Sequence, residues 1–122
     1  MAKFLNDSAM DAGLAWIRDN TDQIGVCNTQ PTDATEAGTT YSLGTLAYGT
    51  ANWTIDAGDT SGRKITAGAA TIPVLSSGTV EHVAFFNTGT LVGVGTCAPT
   101  AVTSGGTVIV AAFDFDEIRD PA

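Results

Sequence analysis

His82 is the sole histidine of the 122-residue chain, and it stands in an apolar run between Glu81 and Val83. General-base chemistry needs a nucleophile within reach of the imidazole and a third group to orient it. No Gly-x-Ser-x-Gly elbow or reactive-cysteine motif accompanies His82, so it reads as a hydrogen-bonded structural residue. Asp56 and Asp59 resemble a fragment of a calcium loop but lack the regular alternation and terminal glutamate of an EF-hand, which makes them a solvated turn. Asp114, Asp116, Glu117 and Asp120 could gather a cation. Their ordinary reading is an acidic tail leaving the last strand, able to dock on a basic patch of a neighbouring protein in a salt-sensitive way. Cys27 and Cys97 have neither CxxC spacing nor a histidine nearby, which argues against zinc. Two buried reduced thiols and a disulfide, within the chain or between copies, both stay open. Gly93-x-Gly95 opens no helix and is no dinucleotide fingerprint.

Composition explains why chemistry is scarce. The polar residues are mostly small and neutral, with 5 Lys+Arg, 13 Asp+Glu and 15% charged residues overall. Soluble domains ordinarily carry about 25%. A net charge of -8 disfavours a nucleic-acid partner, because phosphate binding needs clustered Lys and Arg, and the only adjacent basic pair is Arg63 and Lys64. No apolar run is long enough to span a membrane as a helix. The first residues lack the apolar stretch of a signal peptide, so synthesis in the cytosol is expected. No cofactor is expected. The length fits one domain, residues 1–122, with its own core.

The elements that would position these residues follow from periodicity. Leu5, Ala9, Met10, Gly13, Leu14 and Ile17 recur at spacings of three and four, predicting a helix over residues 7–19 capped by Asn6 or Asp7. Gly13 on that face suggests close approach to a sheet or a neighbouring copy. Trp16, off the centre of the face, either lies across the edge of the helix–sheet contact or anchors a second subunit. Residues 23–28 read as a strand with Ile24 and Val26 facing one way. Residues 29–40 have no pattern that could bury a face and read as a surface loop. Residues 41–48 and 52–56 give two strands or one bulged strand, with Trp53 and Ile55 on one face, and residues 56–62 a turn. Residues 64–75 form a strand that breaks or runs at an edge at Pro73. Residues 79–86 and 91–95 form a hairpin about Asn87-Thr88-Gly89-Thr90. Residues 107–115, apolar on both sides, predict a final central strand. The fold expected is mainly β: a β-sandwich or barrel-like module with one N-terminal α-helix.

The N-terminal helix, Ile24-Gly25-Val26-Cys27 leading to Gln30-Pro31-Thr32, Tyr41-Ser42-Leu43-Gly44, residues 58–64, Glu81-His82-Val83-Ala84, and Pro99 through Val102-Thr103-Ser104-Gly105 together resemble small virion structural proteins of tailed bacteriophages. The resemblance covers nearly the whole chain and rests on turns and strand edges. It implies a capsid decoration, or cement, protein that binds the outside of the major capsid lattice, with the major capsid protein and copies of itself as partners. Proteins of this kind often stand as trimers on pseudo-threefold positions. Neither nucleic acid nor membrane is an expected partner.

Termini and long loops are where a rigid β scaffold can reach a neighbour. The contact residues expected on that ground are Lys3, Phe4, Leu5 and Asn6, Trp16, then Thr32, Asp33, Glu36 and Thr39, and finally Asp116, Glu117, Ile118 and Arg119. Two rivals remain at this stage. One is a tail, neck or fibre component that binds a host receptor. The other is a small glycan hydrolase, which would need two acidic groups converging in a pocket at roughly 5 to 10 Å.

Overall fold

The computed structural model describes residues 5–119. Helix α1 spans Asp7–Asn20, and its first turn is capped by Asn6, whose Oδ1 accepts from the Ser8 N–H over 2.8 Å. Met10 and Leu14 are fully buried, whereas Leu5, Ala9 and Gly13 of the expected stripe are exposed. At Gly13 a Cβ would stand 3.3 Å from Ile118 Cδ1, so the close approach is to a strand of its own chain.

Nine strands follow: β1 Gln23–Cys27, β2 Ser42–Ala47, β3 Trp53–Ala57, β4 Arg63–Ala67, β5 Ala70–Pro73, β6 Gly78–Phe86, β7 Leu91–Val102, β8 Thr107–Val110 and β9 Phe113–Ile118. All pair antiparallel, in a four-stranded sheet β2-β1-β6-β7, a three-stranded sheet β3-β4-β9 and a two-stranded ribbon β5-β8. The sheets pack together into a β-sandwich-like module. Period-2 alternation sets which groups meet between the layers. Ile24 and Val26 on β1 join Val83 and Phe85 on β6, Ile65 and Ala67 on β4, Ile72 on β5 and Leu14 of the helix in one buried cluster. Phe85 is fully buried at its aromatic centre, with ring centroids 4.8 Å from Trp53, 4.9 Å from Phe115 and 5.5 Å from Tyr48. Its burial alone stabilises the fold by about 2–3 kcal/mol.

The intervening residues Ala84 and Phe86 face the other way, where they cluster with Cys27 and Ala37. Here the structure corrects the expectation of a bare surface loop over residues 29–40. Glu36–Thr40 forms a wide helical turn that places Ala37 against the sheet with no exposure. Local side-chain bonds hold it: Asp33 Oδ1 accepts from the Glu36 N–H, and Glu36 Oε1 accepts from the N–H and hydroxyl of Thr32. Two small residues, Ala37 and Gly38, lie against the face supplied by Phe86.

Two strand expectations are also corrected. Residues 64–75 are not one strand: they divide at Gly68-Ala69, sending β4 and β5 into different sheets, while the expected break at Pro73 is present. Pro73 ends β5, where its missing N–H disturbs nothing in the ribbon. Residues 107–115 are not one central strand covered on both faces. Ala111-Ala112 breaks the run, β8 lies in the ribbon and β9 at the edge of the three-stranded sheet. Ile109 is 73% exposed as a result. The expected hairpin is present, and β7 continues well beyond Gly95 to Val102. Between the Val80–Thr100 and His82–Thr96 pairs, residues 97–99 of β7 oppose Glu81 alone, a bulge that contains Pro99.

Candidate functional site

An apolar groove of about 430 Å³ lies between β7 and β8. Val80, Val83 and Phe113 are apolar lining residues contributed by β6 and β9. Consecutive residues of β7 (Gly95, Thr96, Cys97, Ala98) and of β8 and its exit (Val108, Ile109, Val110, Ala111) complete it. A pocket on one face of a strand would be lined by alternate residues. Lining by consecutive ones means that the groove lies along the strand edges. Both strands are outermost in their sheets among the described residues, and although joined by a short turn they do not pair with each other.

No lining residue carries a formal charge. Of the 13 acidic and 5 basic side chains in the chain, only Glu81 falls within residues 65–113. Apart from Asp22, Asp33 and Glu36, the other charged groups of the described residues lie on α1, β3, β4, β9 and the residues just past β3 and β9. There Arg63 Nε donates to Asp11 Oδ1 over 2.7 Å, and Lys64 Nζ donates to Asp59 over 2.7 Å and Asp114 over 3.1 Å. Asp114 also accepts from the Thr66 hydroxyl, and Lys64 and Thr66 together hold its carboxyl below the usual carboxylate range. Asp59 and Asp114 are thus committed to one lysine, and neither lines the groove.

The cysteines have unlike surroundings. Cys27 is fully buried, its Sγ lies 3.6 Å from the Ala37 carbonyl oxygen, and burial pushes its thiol up to about 11. Cys97 is half-buried in the groove wall, and burial, then the nearby Glu81 carboxylate, raise its thiol as well. Both are free. β6 lies between β1 and β7, so the two backbones are about 10 Å apart. A disulfide tolerates Cα separations only up to about 7 Å, so the pair is not poised to close within the chain. His82, expected to be hydrogen-bonded, keeps a buried Nδ1 without a partner. The bulge opposite Glu81 disrupts the ladder beside it.

The residues expected to make partner contacts fall in separate places. Lys3 and Phe4 lie outside the described residues. Leu5 and Asn6 are exposed at the start of α1, and Trp16 on the same helix is 52% exposed. The acidic run forms β9 rather than a departing tail, because Asp114, Asp116 and Glu117 pair in register with Thr66, Ile65 and Lys64. Only Asp120 of that run lies outside the described residues. Glu117 Oε1 is buried without a hydrogen bond and has Arg119 Nε at 3.5 Å, while Ile118 packs at Gly13. The end of β9 therefore meets the middle of α1. Thr32, Asp33 and Glu36 spend their polar groups on the turn that covers Phe86, with Thr39 exposed beside them. Sequence reasoning missed Ile109, Leu75, Thr96 and Thr100, the exposed groups of the neutral region. Their signal was the long interval without charge.

No protein-family model, no curated protein and no solved structure matches the chain.

Proposed function

We propose that this chain is a non-enzymatic structural protein of a bacteriophage virion, a capsid decoration protein that binds the outside of the major capsid lattice and stabilises the head. The observation that carries the reading is the division of the surface. One region, built from β5, β7 and β8, is uncharged, presents free strand edges and exposes Leu75 and Ile109 at 72% and 73%. Apart from Glu81, every acidic side chain lies outside residues 65–113. An exposed apolar patch rimmed by polar groups marks a protein contact surface, and depletion of charge is characteristic of an interface core. The acidic remainder keeps copies soluble and away from nucleic acid.

A lattice supplies many identical sites, so modest contacts repeated over a shell hold it together by avidity. A rigid β module with short turns suits that task, because little conformational freedom is lost on docking. The resemblance of the turns and strand edges to phage virion proteins gives the lattice its identity in this reading. The test is co-sedimentation of purified protein with undecorated capsids, followed by heating. Binding at a fixed copy ratio with a raised capsid melting temperature is expected. Failure to bind shells, with binding to tails or host cells instead, would replace the head assignment.

A further inference from the structure

We draw no further inference here: the strongest candidate, the apolar groove of about 430 Å³ between β7 and β8 beside the exposed Ile109, carries none because nothing in the structure shows what covers it.

Discussion

The Tyr48 hydroxyl donates to the carbonyl oxygen of Gly68 over 2.6 Å, joining the exit of β2 to the exit of β4 and so tying the four-stranded sheet to the three-stranded one. The ring is 1% exposed and meets Trp53 edge-on at 5.4 Å. Tyr48→Phe keeps the packing and removes the bond. A loss of about 1 kcal/mol in urea unfolding is expected, with the slope of the transition unchanged.

The same burial gives a pH signature. Tyr48 is pushed from its ordinary 10.0 up to about 12, and Cys27 from 9.0 up to about 11. Folding favours the protonated, neutral form of both groups, so their contribution is fully present below the unfolded values and is lost as pH rises through the folded ones. Stability is therefore expected to fall from pH 9.0, where the Cys27 loss begins, to about 12. Tyr48→Phe should remove the upper part of that fall, on the order of 2 kcal/mol. An unfolding series over alkaline pH checks this, and an unchanged slope in the variant contradicts it.

Between the layers, Gly93 of β7 lies directly under the ring of Phe115 on β9, and a Cβ at position 93 would overlap the ring tip. Gly93→Ala is expected to cost about 1–3 kcal/mol by overpacking. Gly89→Ala, with open space around the added methyl, serves as the comparison in the same thermal melt.

How much of this was legible in the sequence depends on how each element is specified. The helix, strand β1 and the β6–β7 hairpin could be read directly, since a 3.6 or 2.0 period and an Asn-Thr-Gly-Thr turn are local signals. The division of residues 107–115 was not legible. Alternation continues unbroken through Ala111-Ala112, and only the competition of two sheets for one strand makes the chain change partners there. The turn over residues 29–40 was hidden for the opposite reason: it covers Phe86 with Ala37 and Gly38, residues too small to register as a hydrophobic pattern. Contact residues were sought at chain ends and in the long loop. The clearer sign was the absence of charge across residues 65–113, which becomes a surface only once β5, β7 and β8 are brought together.

The two thiols should separate in reactivity. Cys27 lies beneath the Ala37 turn with no exposure, whereas Cys97 is half-exposed in the groove. In the native chain an alkylating reagent at mildly alkaline pH is expected to modify Cys97 first, and Cys27 only as fast as the chain opens. Mass spectrometry of peptides from timed quenches identifies the order. Simultaneous loss of both thiols would contradict the placement of Cys27.

The tryptophans divide in the same manner, since Trp16 is 52% exposed and Trp53 is 6% exposed. Acrylamide is expected to quench one component only, and Trp16→Phe to eliminate it while changing stability by no more than about 0.5 kcal/mol. Two equally quenchable components would mean that the Trp53, Phe85 and Phe115 cluster is open to solvent.

The most direct measurement of whether this chain works by surface packing is sedimentation of wild type and Ile109→Asp with undecorated capsids. Wild type is expected to pellet with shells at a fixed copy ratio, and the variant, altered at a residue 73% exposed on the uncharged face, to keep the wild-type melting temperature and lose most of that binding. Wild-type protein that stays in the supernatant, whatever the shell concentration, would contradict the structural role.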